Sequence, residues 1–215
     1  MVKGCCLNCV FCWSEIGLSD DQDESFYSPE EVFTQLSKVA ERFGTAKVRL
    51  SGGEPTLGQQ HLLALLSLIE KSRFKIFILE TNGLCFGLDS DYVKQISRFK
   101  KVHVRLSLKA GTEEAFVAKT GIEPQAFYLP FTAIENLIKY GCRFNVSAIT
   151  DPRVMCSTER QSLLSLLNSI DPNLIKDLEE EYIEPYRNSL LRLRNSYPLK
   201  WPFPIVAAVD LPIRY

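Results

Sequence analysis

Lys47-Val48-Arg49-Leu50-Ser51-Gly52-Gly53-Glu54-Pro55-Thr56 runs from a short β-rich segment straight into a glycine turn, and a helical stretch from about Gln59 to Ser72 follows it. Strand, turn and helix make one βα unit, and similar units lie on both sides of it. Upstream, Ser28-Pro29-Glu30-Glu31 supplies an N-cap, a proline at the first helical position and two first-turn acids. They open a helix to about Phe43, with Val32, Leu36, Val39 and Phe43 on one face and Gly44 as its stop. Downstream, strands are expected over Lys75–Glu80, Val102–Leu108 and Arg143–Ile149. Helices are expected over Asp89–Phe99, Thr112–Lys119, Phe131–Tyr140 and Gln161–Ile170. Leu174–Ile183 has helical apolar spacing, and Pro204–Leu211 is β-compatible. This alternation predicts parallel βαβ units in a barrel or an open α/β sheet.

A chain of 215 residues and 24.4 kDa is sized for one core, so a single domain over 1–215 is expected, with 153–215 the hardest stretch to read. An apolar fraction of 46% with 24% charged residues excludes a disordered or repeat protein. The net charge of −1 gives no strong nucleic-acid signal, and the basic runs Lys71–Lys75 and Arg98–Lys101 read as solvated faces. No run of about 18 apolar residues predicts a membrane span, and the N-terminus lacks a signal-peptide pattern, so the expected compartment is the cytoplasm. The acidic Asp20–Glu24 reads as a solvated loop. There is no P-loop, dinucleotide fingerprint or Ser/His/Asp arrangement.

Four of the seven cysteines sit in Gly4-Cys5-Cys6-Leu7-Asn8-Cys9-Val10-Phe11-Cys12-Trp13. Cys5, Cys9 and Cys12 give the spacing CxxxCxxC, three soft ligands suited to an iron-sulfur cluster or a thiophilic metal. Three thiolates on a four-iron cluster leave one iron open to a non-protein ligand. A zinc site or a redox dithiol is the alternative. Against zinc, Cys6 adjoins Cys5 and is a poor fourth ligand, while Cys85, Cys142 and Cys156 are scattered singly. The glycine pair at Gly52 and Gly53 lets a ligand approach the backbone closely, and Glu54 offers an acceptor for an ammonium group. As a strand-end feature alone it is no more than a turn.

Taken together, the CxxxCxxC loop and the downstream Gly-Gly-Glu turn resemble the radical S-adenosylmethionine (SAM) superfamily. Glu80-Thr81-Asn82-Gly83 looks like the Thr-Asn-Gly segment of pyruvate formate-lyase activating enzyme-like proteins. The resemblance implies a partial (β/α)6 barrel of mainly parallel strands. Its first strand is short or missing, because Met1–Gly4 leaves little room before the loop, and Leu174–Ile183 becomes a candidate sixth barrel strand. It further implies that Cys5, Cys9 and Cys12 hold a [4Fe-4S] cluster whose open iron takes SAM. Phe11, Ser51, Gly52, Gly53, Glu54, Thr81, Asn82, Ser107, Lys109 and Asn145 are the SAM-contact candidates. Ser107 replaces the acid of the activating-enzyme pattern, leaving Lys109 as the carboxylate contact. Asn145 and Ser147 share one strand face, Trp13 is expected to shield the cluster or pack as core, and His61 and His103 receive no role. The implied activity is reductive cleavage of SAM to a 5′-deoxyadenosyl radical for hydrogen abstraction, fed by a flavodoxin- or ferredoxin-type electron donor. The substrate is expected to be a protein, with a small molecule or nucleoside as the alternative. A non-catalytic zinc or redox module is the reading of another class.

Overall fold

Five parallel strands lie side by side in the order in which the chain makes them: β1 (Lys47–Leu50), β2 (Ile76–Thr81), β3 (Val102–Leu108), β4 (Phe144–Ile149) and β5 (Glu179–Glu181). The structure, a computed structural model, describes residues 2–14 and 26–196. The acidic loop and the strand expected at 204–211 lie outside the described residues. Right-handed crossovers between sequential neighbours put the connecting helices on one face and curl the sheet, whereas a doubly wound sheet reverses direction partway. Among the described residues the result is an unclosed parallel sheet of the partial-barrel type. The helices are α1 (Pro29–Arg42), α2 (Gln59–Lys71), α3 (Leu84–Leu88), α4 (Ser90–Ile96), α5 (Glu113–Thr120), α6 (Leu129–Lys139), α7 (Ser157–Ile170), α8 (Asn173–Lys176) and α9 (Arg187–Ser196).

The period-2 pattern of the strands separates two faces. Phe77 and Leu79 on β2, with Val102, Val104, Leu106 and Leu108 on β3, are buried against the helix layer. Leu62, Leu65, Leu66 and Ile69 of α2 are buried as well, and each such side chain contributes about 1.5–3 kcal/mol by leaving water. The opposite, concave face is polar. Arg105 extends across it to Glu80 (3.0 Å), Glu179 (2.9 Å) and Glu181 (2.5 Å), and Arg49 shares Glu80 from the other side. Glu180, one step out of phase, points the other way and pairs with Arg160 of α7. Three consecutive glutamates thus form a strand because each has an arginine on its own face.

Ahead of β1 the described residues add one bridge to its far edge. Val2 pairs in parallel with Gly52, donating to Ser51 O at 3.0 Å and accepting from Gly53 N at 2.7 Å. The stretch 174–183 divides between the two expectations, a single turn at α8 followed by β5. Ser28 caps α1 as expected, and Glu31 reaches back to the Ser28 amide to complete a capping box.

Candidate functional site

The cysteine loop and the glycine turn are joined directly. Beyond the Val2 bridge, Glu54 N donates to Gly4 O at 2.8 Å, so the thiol loop starts at the C-terminal edge of β1, the end where parallel α/β folds bind ligands. Gly52 takes φ +118°, which a side chain would strain, so a glycine at this position is what lets the chain cross this edge. The far side of the loop is pinned to the end of α5: Asn8 N donates to Thr120 O and Val10 N to Lys119 O, both at 2.9 Å.

Lys119 is buried, and its Nζ bonds Glu159 Oε1 of α7 at 2.6 Å. The same oxygen accepts Gly111 N at 3.0 Å. One carboxylate therefore anchors the β3–α5 connection and the residues that carry the thiol loop.

Within the loop, Cys9 is buried while Cys5, Cys6 and Cys12 are half-buried. The hydrogen bond from Cys6 brings the Cys5 thiol down to about 6 against the opposing effect of burial, and the same bond, with burial, pushes Cys6 upward. Burial pushes Cys9 up to about 12, with Lys109 pulling the other way. Asn82 Nδ2 reaches Cys6 Sγ at 3.3 Å and Cys5 Sγ at 3.9 Å from the end of β2. A single zinc ion needs donors converging within about 2.3 Å of one point. Among the described residues no three His, Cys, Asp or Glu side chains converge in that way. A four-iron cluster binds each thiolate to a separate iron, and three cysteines on one short loop are a donor set of the right chemistry for it.

Glu54, expected to face a ligand ammonium, is 2% exposed. Its Oε1 accepts Thr56 N (3.1 Å), Thr56 Oγ1 (2.6 Å) and Thr81 Oγ1 (2.8 Å), and Oε2 accepts Asn82 N (2.7 Å). The carboxylate ties the ends of β1 and β2 together, and with four donors in place its acceptor capacity is largely used. Thr81 and Asn82 are thus brought to the same spot as Glu54 and the Cys5–Cys6 sulfurs. Ser107 and Lys109 sit together at the end of β3, with Lys109 Nζ 2.8 Å from Ser107 Oγ. Ser147, the register partner of Ser107, is buried, and its Oγ has no hydrogen-bond partner among the described residues. An orphaned hydroxyl at a ligand-binding strand edge fits a ligand carrying hydroxyl or carboxylate groups.

Asn145 lies deeper, level with Arg105, and its amide is engaged by His103 (2.8 Å) and Glu179 (3.1 Å). Phe11 is buried in the core beside Leu7 and Cys9. Trp13, expected to pack or shield, is 46% exposed and leans on Tyr186 at 6.2 Å. Sequence reasoning passed over two contributors, the Lys119–Glu159 pair and Arg192 of α9. Glu159 and Arg192 lie far from the motifs in sequence, and the signal for the pair was two charged residues on otherwise apolar helix faces.

A family model described as the radical SAM superfamily matches residues 1–151. Among curated relatives, a probable GTP 3′,8-cyclase of Sulfurisphaera tokodaii is 30% identical over 139 residues, 65% of this chain and 41% of that protein. A GTP 3′,8-cyclase of Mannheimia succiniciproducens is 31% identical over 124 residues, 58% and 32% of the two chains. The chain spans less than half the length of these relatives. In fold it is similar to native anSMEcpe with bound AdoMet, at TM-score 0.62 and 22% identity over 91% of this chain and 57% of that one. It is likewise similar to Streptococcus suis SuiB bound to precursor peptide SuiA, at TM-score 0.66 and 18% identity over 90% and 42%.

Proposed function

Because the chain belongs to the radical SAM superfamily, we propose that it binds a [4Fe-4S] cluster through Cys5, Cys9 and Cys12 and cleaves SAM reductively to abstract a hydrogen atom from a substrate. The bound cofactors supply that chemistry: one electron from an external donor, and a 5′-deoxyadenosyl radical from SAM. The protein's part is to hold and orient. The observation that carries this reading is the direct coupling of the thiol loop to the glycine turn through Val2, Gly4, Gly53 and Glu54, with Asn82 bridging to the sulfurs.

Each candidate side chain takes a role that follows from its position. Gly52 and Gly53 keep the strand edge open to a ligand's amino group. Lys109 and Ser107 present a cation and a hydroxyl suited to its carboxylate, and the orphaned Ser147 Oγ offers a further hydroxyl contact. Glu54 acts chiefly by positioning Thr81 and Asn82. Leu7, Cys9 and Phe11 exclude water from the inner side of the loop. Asn145 serves the charged layer beneath the site.

Two substrate classes follow from the sequence, a protein and a small molecule or nucleoside. The second has the better support, since the sequence relatives bear the name of an activity on GTP. Peptide-bound structural neighbours at this identity speak for the fold alone. Anaerobic reconstitution with iron and sulfide tests the proposal. A brown protein that yields methionine and 5′-deoxyadenosine from SAM under dithionite supports it; bound zinc with no 5′-deoxyadenosine refutes it.

A further inference from the structure

α9 (Arg187–Ser196) lies outside the residues matched by the family model, yet it closes over the cysteine loop at both ends. Arg192 NH1 donates to Asn8 Oδ1 at 2.9 Å and approaches Cys9 O at 3.4 Å. Asn188 Nδ2, one turn earlier, donates to Trp13 O at 3.3 Å, and Tyr186 packs beside the Trp13 ring. Residues 188 and 192 are four apart and so share one helix face. The helix is fixed underneath by fully buried Leu193 and Ser189, the latter bonded to Glu184 O and Tyr186 O. Opposite it, Lys119 O and Thr120 O hold the loop's amides at Val10 and Asn8. The loop is therefore gripped from two sides, and one grip comes from a guanidinium at the carbonyl of a candidate ligand cysteine.

We propose that Arg192 is a positioning residue for the cysteine loop, clamping Asn8 and Cys9 so that the thiols are preorganised and placing a fixed positive charge beside the cluster they would hold. This rests on the function proposed above. Losing a charged hydrogen bond of this kind should let the loop open at least roughly tenfold faster. Outer contacts to a metal site typically change its retention by about 10–100-fold. A positive charge beside a cluster favours its reduced form, so removing it makes the potential more negative.

The test compares Arg192→Ala, Arg192→Lys and, as a control on the same helix, exposed Arg194→Ala. Hydrogen exchange of the metal-free protein should quicken about tenfold over residues 8–13 in Arg192→Ala and stay unchanged in Arg194→Ala. After reconstitution, the Arg192→Ala cluster should be lost to a chelator about tenfold faster, with a potential more negative than that of wild type. Arg192→Lys, which keeps the charge but not the fork, should keep the potential while losing part of the loop protection. Wild-type exchange and chelator resistance in Arg192→Ala would overturn the proposal. If the wild-type protein takes up no cluster while Arg192→Ala still loosens residues 8–13, the clamp stands and the cofactor reading falls.

Discussion

Glu159→Ala should be among the most damaging single substitutions in this chain, although Glu159 touches no candidate ligand-binding atom. It takes from the ammonium of Lys119, 1% exposed, an ion-pair partner at 2.6 Å, and it removes the acceptor of Gly111 N. Breaking one side of a buried pair costs about 3–5 kcal/mol, and an orphaned buried N–H about 1–3 kcal/mol. The two overlap because the same oxygen serves both donors, so about 3–5 kcal/mol is expected overall. That is a large part of the roughly 5–15 kcal/mol that holds a domain folded. Glu180→Ala removes a similar contact to Arg160 with both side chains well exposed, and should cost about 0–1 kcal/mol. Urea unfolding of the metal-free proteins followed by circular dichroism measures both. The contrast between them is the prediction: a Glu159→Ala loss below about 1 kcal/mol, equal to that of Glu180→Ala, would refute the claim that this carboxylate holds the Lys119 charge. Because Lys119 O and Thr120 O carry the thiol loop, surviving Glu159→Ala protein should also show faster exchange at Asn8 and Val10.

Three further outcomes are expected. Glu54→Gln should leave iron content near wild type but weaken SAM binding, because an amide cannot accept both the Oε1 donors and Asn82 N, so Asn82 and Thr81 shift; unchanged SAM affinity in equilibrium binding would contradict it. Cys5→Ala, Cys9→Ala and Cys12→Ala should each abolish cluster uptake, whereas Cys6→Ala should retain most of the iron; equal iron loss in Cys6→Ala would overturn the ligand assignment. Asp151 is fully buried. Burial alone would raise its carboxyl, but bonds from the Arg153 side chain and from the Arg153 and Ile183 amides outweigh it and hold the group below its ordinary value. A depressed folded-state value means that the stabilisation is complete above the unfolded value of about 3.9 and fades as pH falls through the folded one. Asp151→Asn should therefore be less stable than wild type at neutral pH and show a shallower acid loss; parallel acid limbs would count against it.

The parts of the fold that were legible in the sequence are those set by local rules. β3 and β4 announce themselves by period-2 alternation, β2 by an apolar, β-rich run broken at Asn82-Gly83, and α1 by its N-cap Ser28 and Pro29. Their order, with helices between, was enough to foresee parallel βαβ units in a barrel or an open α/β sheet, and the partial barrel came with the family resemblance. Elements held by tertiary contact were not legible. α3 is five residues long, and Gly87 inside it is needed because a Cβ there would lie 2.1 Å from Leu129 O of α6. α9 has few apolar positions and is fixed by Leu193 and by its contacts to the thiol loop. β5 is three glutamates, poor strand formers, held by Arg105 on one face and Arg160 on the other.

The candidate site divides in the same way. The spacing of Cys5, Cys9 and Cys12 and the Gly-Gly-Glu turn were readable because each is a contiguous motif. That Glu54 is spent on Thr56, Thr81 and Asn82, and that Asn145 is engaged by His103 and Glu179, depends on strand register, which no local pattern encodes.

The central claim is that the loop of Cys5, Cys9 and Cys12, joined to the glycine turn at Val2–Gly4, holds a cluster that cleaves SAM. Iron and sulfide counted per chain after anaerobic reconstitution, with 5′-deoxyadenosine measured under dithionite in the same sample, test it most directly. About four irons and four sulfides per chain together with 5′-deoxyadenosine are predicted. Stoichiometric zinc, no labile sulfide and no 5′-deoxyadenosine would contradict the account.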